Sequence, residues 1–127
     1  VVEMVCMRWV GEDGAKRKNI TVLHCHTGYP TPLVNVNLFA MNNIEKKFRI
    51  NVGYSDHTLG NETGIAAVAL GAKAIEKHIT LNKNMSGPDH AASMEPKNFY
   101  NYVKLITCGP KTIAQALNVL DLCSYGP

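Results

Sequence analysis

Residues 53–58 read Gly-Tyr-Ser-Asp-His-Thr, and residues 76–78 read Glu-Lys-His. Each segment closes a short strand-like run with a histidine, His57 in the first and His78 in the second, and a polar loop follows both. The small and apolar residues of the intervening stretch 61–71 predict a helix. A strand, helix, strand order of this kind is typical of parallel strands joined by right-handed crossovers. We therefore expect both histidines at the same edge of one sheet.

The flanking residues extend this alternation. The pattern predicts strands at 19–25, 50–55 and 73–80, helices at 1–10, 38–48, 61–71 and 95–106, and a further helix at 113–122. The loops after the strands are long and polar, while the turns before them are short, as in a (β/α) barrel. The predicted fold class is α/β, a partial TIM (β/α) barrel of about three strand-helix units with parallel strands. A doubly wound open sheet is the alternative, although no glycine-rich phosphate turn follows the first strand.

Length and composition restrict the class of protein. The 127 residues suit one domain, and 46% hydrophobic with 18% charged residues is a globular composition. The net charge of +3 is mild and scattered, which argues against a nucleic-acid partner. No apolar run has the length of a membrane span, and the start lacks a signal-peptide pattern. The four cysteines show no CxxC spacing, so we expect a reducing, cytoplasmic location.

The two histidines at the strand ends are the strongest candidates for a metal site. Adjacent parallel strands lie about 4.8 Å apart, so His57 and His78 can share one cation. Two neutral nitrogens with open positions suit a catalytic divalent metal better than a structural one. Taken singly, each histidine is more often structural. Asp56 either fixes the tautomer of His57 or simply ends its strand.

Other polar residues near these strand ends have two interpretations each. Glu76 shares the strand face of His78, and a structural ion pair is its favoured interpretation. Ser55 donates either to an anionic ligand or to a strand-end acceptor. Asp89 is a carboxylate on a rigid turn, either functional or solvated, and Tyr29 either lines a sugar site or plugs a barrel mouth. His24, inside a strand, is expected to be a hydrogen-bonded core histidine.

Seven segments resemble the sialic acid synthase family over residues 20–106, and relatives that make legionaminic or pseudaminic acid share much of the pattern. They are Leu-His-Cys at 23–25, Tyr-Pro-Thr-Pro at 29–32, Gly-Tyr-Ser-Asp-His-Thr at 53–58, Ala-Ala-Val-Ala-Leu-Gly-Ala at 66–72, Glu-Lys-His-Ile-Thr-Leu at 76–81, Gly-Pro-Asp-His at 87–90 and Ser-Met-Glu-Pro at 93–96.

The resemblance implies a metal-dependent condensation of phosphoenolpyruvate with an N-acylmannosamine-type sugar, giving a nonulosonic acid and phosphate. It also implies a TIM barrel, a C-terminal antifreeze-like domain and a domain-swapped homodimer. His57 and His78 are similar to the family's metal-binding histidines, with Mn²⁺ the usual ion and Mg²⁺ a possible substitute. The resemblance also assigns residues to the two substrates. Ser55 and Thr27 match positions of the family that bind phosphoenolpyruvate.

The sugar-binding positions of the family correspond to Tyr29 and Asp89. One departure lies next to these sites, because the family's Cys-Thr-Ser or Cys-Thr-Asn is replaced here by Cys25-His26-Thr27. The resemblance begins near the sixth barrel strand. The chain is therefore expected to be the C-terminal portion of such a barrel, without the first five strands and the C-terminal domain, and to have little synthase activity alone. The alternatives are an inactive fragment that acts as an assembly piece, or a synthase of a related acid.

Overall fold

A computed structural model describes residues 2–4 and 20–107 of the chain. Its strands are β1 (Val2–Met4), β2 (Thr21–His26), β3 (Asn51–Asp56) and β4 (Ile75–Lys77), and its helices are α1 (Phe39–Phe48), α2 (Glu62–Ala69) and α3 (Pro96–Thr107). Short 3-10 turns occupy Leu33–Asn35 and His90–Ala92. The helices expected at 38–48, 61–71 and 95–106 are confirmed, whereas the one predicted at 113–122 lies outside the described residues. None of the described helices has the length and apolar character of a membrane span.

Three of the strands form the parallel sheet that the alternation predicts. β2 pairs with β3 and β3 with β4, all in parallel, and the register places His24 beside Tyr54 and Ser55 beside Glu76. The prediction of a helix at residues 1–10 is wrong for Val2–Met4, which form a strand antiparallel to β2. The physical reason is tertiary, because the outer edge of β2 offers unpaired backbone groups that outweigh a weak local helix preference.

The third parallel strand is shorter than the predicted 73–80. After Lys77 the backbone no longer pairs with β3 and forms hydrogen bonds with Met94 instead. Met94 N–H donates to the His78 carbonyl at 3.0 Å, and Thr80 N–H donates to the Met94 carbonyl at 2.8 Å. The chain around Met94 thus replaces β3 as the neighbour of this segment. α2 ends near Gly71, whose φ of +100° is a conformation that favours glycine and stops the helix.

The sheet has one helix-covered face and one open face. Val52 and Tyr54 point to the covered face, where they pack with Met41 of α1 and Ala67 of α2, each no more than 1% exposed. Successive residues of a strand point to opposite sides. Gly53, Ser55 and His57 therefore share the open face. At Gly53 an added Cβ would lie 2.4 Å from the Ala74 carbonyl oxygen, so the strands approach closely there.

Candidate functional site

Three aromatic rings meet at the carboxyl ends of the parallel strands. The ring centroids of His57 and His78 are 5.3 Å apart, with the planes nearly perpendicular. The ring of Tyr29, from the loop after β2, lies 4.4 Å from His78 and 5.1 Å from His57. The fold thus brings together the two histidines and the tyrosine that the sequence singled out, from three successive strand-to-helix loops.

The His57 ring is oriented by a backbone carbonyl. Its Nδ1 lies 2.9 Å from the carbonyl oxygen of His26, which only accepts, so Nδ1 carries the proton and Nε2 keeps its lone pair. Histidines that bind metals commonly donate their other nitrogen in this way. Ser55 Oγ lies 3.5 Å from Nε2, and Cys25 Sγ lies 3.7 Å from Nδ1 and 3.8 Å from Nε2. Nε2 is therefore the nitrogen of His57 that is able to bind a cation.

The backbone of each histidine is tied to a loop: that of His57 to the loop after the neighbouring strand β2, and that of His78 to a later part of its own loop. The His57 carbonyl accepts from Thr31 N–H at 2.8 Å, and the His78 carbonyl accepts from Met94 N–H at 3.0 Å. Within the described ranges, no third histidine, cysteine, aspartate or glutamate joins the pair in a group that could hold a metal ion. The donor set is thus two imidazoles, which suits a borderline divalent ion with open coordination positions.

A chain of hydrogen bonds connects Tyr29 to the loop that carries Asp89. Ser93 Oγ donates to the Asp89 carbonyl at 2.8 Å, so the Tyr29 hydroxyl, 3.1 Å from the same Oγ, is the donor of that contact. Burial raises the pKa of Tyr29, the bond to Ser93 lowers it, and the charges of Asp89 and Asp56 raise it further. Tyr29 is consequently a protonated phenol at neutral pH. The Asp89 side chain is exposed to solvent beside it.

Ser55 and Glu76 form a pair two residues before His57 and His78, respectively, on the open face. Ser55 is 5% exposed and donates its hydroxyl to Glu76 Oε1 at 2.7 Å. In the described part of the chain Glu76 makes no ion pair, and its exposed carboxylate accepts a hydrogen bond from Ser55. The Ser55 hydroxyl proton is directed to Glu76, which leaves its lone pairs toward the site.

Asp56 does not serve His57. Because successive strand residues point to opposite faces, Asp56 lies on the helix-covered side, where its Oδ2 is 3.0 Å from Lys77 Nζ. The interpretation of Asp56 as the group that fixes the tautomer of His57 is thus wrong, and the His26 carbonyl has that contact. Burial lowers the pKa of Lys77, while the charge and hydrogen bond of Asp56 and the charge of Glu62 raise it.

Segment 26–28 contacts the ring of His57 through a backbone carbonyl, that of His26. Thr27 is exposed, and in the described part of the chain no hydrogen bond joins its side chain to the three rings. The ring of His26 is folded back onto its own loop, where Nδ1 accepts from Gly28 N–H at 3.0 Å. His26 therefore acts on the site through its backbone carbonyl and not through its imidazole.

His24 is a core residue, as predicted, but it is not fully hydrogen-bonded. It is 5% exposed, its ring lies 5.7 Å from that of Tyr54, and its Nδ1 has no hydrogen-bond partner among the described residues. Burial lowers the pKa of His24, a hydrogen bond with the Asn37 backbone raises it, and nearby His26 lowers it. The ring is consequently held in its neutral form.

Sequence reasoning missed three contributors to this site: the His26 carbonyl, the Ser93 hydroxyl and the Cys25 thiol. A backbone carbonyl has no signature in a sequence. Ser93 belongs to the resembling segment 93–96, so its presence there was the available signal. Cys25 shares the strand face of Ser55 through the sheet register, which sequence alternation alone does not supply.

Comparisons with known proteins identify relatives of this chain. The chain is 62% identical over 86 residues to the N,N'-diacetyllegionaminic acid synthase of Campylobacter jejuni, covering 68% of the chain and 26% of that protein. It is 43% identical over 106 residues to the human N-acetylneuraminate-9-phosphate synthase, covering 83% of the chain and 30% of that protein.

Two solved structures resemble the fold. A spore coat polysaccharide biosynthesis protein of Bacillus subtilis superposes with a TM-score of 0.69 at 32% identity, covering 87% of this chain and 29% of that one. The N-acetylneuraminic acid synthetase of Leptospira borgpetersenii, in complex with citrate, gives a TM-score of 0.61 at 34% identity, with 84% and 34% covered.

The chain spans between 26% and 34% of the length of these four proteins. A sequence model described as the NeuB family matches residues 2–117, nearly the whole chain. The chain therefore belongs to the NeuB family.

Proposed function

We propose that this chain is the C-terminal portion of a (β/α) barrel and carries the metal-binding residues of a nonulosonic acid synthase. The reaction is the condensation of phosphoenolpyruvate with an N-acylmannosamine-type sugar, releasing phosphate. The supporting observation is the meeting of Tyr29, His57 and His78 at the carboxyl ends of three parallel strands. That end of the strands is where (β/α) barrels carry their chemistry.

His57 and His78 would hold the cation, with Mn²⁺ as the proposed ion and Mg²⁺ as an alternative. The donation of His57 Nδ1–H to the His26 carbonyl supports this role, because it presents Nε2 as the ligand. A bound divalent ion would supply Lewis acidity toward the carbonyl group of the sugar. Ser55, whose hydroxyl donates to Glu76 Oε1, would have to turn that proton toward phosphoenolpyruvate in order to bind an anionic oxygen of the substrate. Thr27 offers an exposed hydroxyl as a second donor.

Tyr29 and Asp89 are the proposed sugar-binding residues. Tyr29 is held as a protonated phenol with its hydroxyl donated to Ser93, so its ring is a wall against which a sugar is oriented. The exposed carboxylate of Asp89 is suited to accept hydrogen bonds from sugar hydroxyls. Orientation of two reactants in one site lowers the barrier to their condensation.

A titration with Mn²⁺ tests the metal site. We expect the chain to bind Mn²⁺ in isothermal titration calorimetry, and the double variant His57→Ala/His78→Ala to lose that binding while its circular dichroism is retained. His90→Ala is the matched control, because His90 is a half-buried histidine whose Nδ1 lies 2.8 Å from Thr80 Oγ1, away from the pair. Unchanged Mn²⁺ binding in the double variant would contradict the assignment of His57 and His78 as metal ligands.

A second candidate function is a legionaminic-type synthase, whose acceptor sugar would carry two acetamido groups. The specific observation is the 62% identity to a relative named for an N,N'-diacetyl product, against 43% to the human neuraminate-9-phosphate synthase. Binding of N-acetylmannosamine and of a diacetamido analogue to the Mn²⁺-loaded chain can be compared by calorimetry. Preference for the diacetamido sugar would favour a legionaminic-type synthase, and the reverse preference a sialic acid synthase.

A further inference from the structure

A charged residue of opposite sign precedes each histidine of the proposed metal pair: Asp56 comes before His57, and Lys77 before His78. Consecutive strand residues point to opposite faces, so the two charges share the helix-covered face while the two imidazoles share the open face. The sheet register pairs Asp56 directly with Lys77 across the two strands. One ion pair thus lies directly behind the two histidines.

The ion pair is completely buried and its hydrogen-bonding groups are occupied. Lys77 Nζ lies 3.0 Å from Asp56 Oδ2, and the two side chains are 3% and 0% exposed. Tyr102 of α3 donates its hydroxyl to Asp56 Oδ2 at 3.2 Å. Lys77 Nζ also donates to the carbonyls of Thr58 and Gly60, the latter at 3.2 Å. A fully bonded pair of this kind defines one arrangement of the strands it joins.

The same network holds the loop that begins at His57. Asp56 Oδ1 accepts from Thr58 N–H at 2.9 Å and from Thr58 Oγ1 at 2.7 Å. Lys77, on the neighbouring strand, binds the Thr58 carbonyl. His57 is therefore flanked by Asp56, a member of the ion pair, and by Thr58, which both members of the pair bind. A displacement of β4 relative to β3 would have to break these bonds.

We propose that Asp56 and Lys77 are positioning residues that set the spacing of His57 and His78. The inference rests on the proposed metal pair. It goes further in assigning the separation of the imidazoles to a charge pair on the opposite face of the sheet. A two-ligand metal site needs its ligands held within about 0.5 Å by surrounding contacts. An ion pair across two strand ends supplies that constraint, whereas apolar contacts of equal volume tolerate sliding.

The alternative is that the pair only stabilises the fold. Replacement of a buried ion pair by apolar residues of similar volume is often neutral or favourable for stability. A merely structural pair would therefore be replaceable without an effect on the histidines. The double variant Asp56→Leu/Lys77→Met separates the two roles, since it removes both charges together and leaves no unpaired charge.

Two readouts test the inference. In the metal-free chain, nuclear Overhauser effects between the ring protons of His57, His78 and Tyr29 report the spacing directly. We expect the double variant to unfold cooperatively on heating, as the parent does. In the Mn²⁺ titration we expect it to bind Mn²⁺ at least about tenfold more weakly, as is found when other groups that orient metal ligands are removed. Lys77→Arg, which keeps the charge pair, is expected to retain most of the affinity.

Ile44→Val is the matched control for a small loss of packing, because Ile44 belongs to α1 and packs against the core on the helix-covered face of the sheet. It should lower the melting temperature and leave the Overhauser effects and Mn²⁺ affinity unchanged. Parent-like Overhauser effects and affinity in Asp56→Leu/Lys77→Met would overturn the inference. If that variant does not fold, Thr58→Val decides in the same assays. Loss of the hydrogen bond from the Thr58 hydroxyl to Asp56 must then change the ring-to-ring Overhauser effects and lower the Mn²⁺ affinity. Parent-like values of both would contradict the inference.

The test also separates this inference from the proposed function. If His57→Ala/His78→Ala leaves Mn²⁺ binding unchanged, the proposed metal pair fails. Altered ring-to-ring Overhauser effects in Asp56→Leu/Lys77→Met would still support positioning of the two imidazoles by the ion pair.

Discussion

The ring of Tyr29 packs on the ring of His78 at a centroid distance of 4.4 Å and an interplanar angle of 35°. The two residues come from loops that follow the first and third parallel strands, so the contact reaches across the strand between them. The ring of His57, from the loop after that middle strand, stands edge-on to Tyr29. Tyr29 therefore closes one side of the space around both histidines.

The position of Tyr29 depends on Ser93. Because the Tyr29 hydroxyl donates to Ser93 Oγ, we expect Ser93→Ala to reduce the free energy of unfolding by about 0.5–1.5 kcal/mol, the usual contribution of one hydrogen bond. Urea denaturation of Ser93→Ala, Tyr29→Phe and the double variant measures the coupling. Additive effects of the two single variants would mean that the bond contributes nothing.

Gly64 is predicted to reject even a methyl group. An added Cβ would lie 1.9 Å from the Tyr102 hydroxyl oxygen and 2.6 Å from its ring, and Tyr102 is 1% exposed. Gly64→Ala should therefore reduce the free energy of unfolding by about 1–3 kcal/mol, as overpacking does. This loss outweighs a gain of up to about 1 kcal/mol in helix propensity. Urea denaturation measures the change, and a stabilised variant would contradict the packing of α2 against α3.

His24 makes stability depend on pH. The pKa of its buried imidazole is lowered from 6.5, so the unfolded chain takes up a proton before the folded chain does. Stability from this residue is fully present above about pH 6.5 and is lost as pH falls toward the folded pKa, by at most about 1.4 kcal/mol per pH unit. The difference in unfolding free energy between the parent and His24→Gln, measured by urea denaturation from pH 7.5 to 5.5, isolates this effect. A pH-independent difference would contradict it.

Synthase activity is expected to be very low in the 127-residue chain alone. The chain spans only 26–34% of the proteins compared above, and Lys77, next to His78, is turned to the opposite face, where it cannot meet a phosphate. Phosphate release from phosphoenolpyruvate and N-acetylmannosamine in the presence of Mn²⁺ measures the activity. Robust turnover by the purified chain would show that these residues suffice.

Much of the architecture could be predicted from local patterns. The apolar spacing of α1 and the small residues of α2 are properties of contiguous segments, as is the stop at Gly71. Strand alternation likewise places Ser55 and His57 on one face. The helix expected at residues 1–10 is different, because Val2–Met4 pair with the edge of β2 and that choice depends on a remote strand.

By itself, the sequence determined that His57 and His78 follow successive parallel strands and that a tyrosine and an aspartate lie on nearby loops. Only the tertiary structure decided which groups meet: Asp56 pairs with Lys77, Glu76 accepts from Ser55, and the His26 carbonyl orients His57. The physical reason is that strand and helix periodicities are local and can be read along the chain. Partners across a sheet depend on register and on the direction of each side chain, which exist only once distant segments have packed.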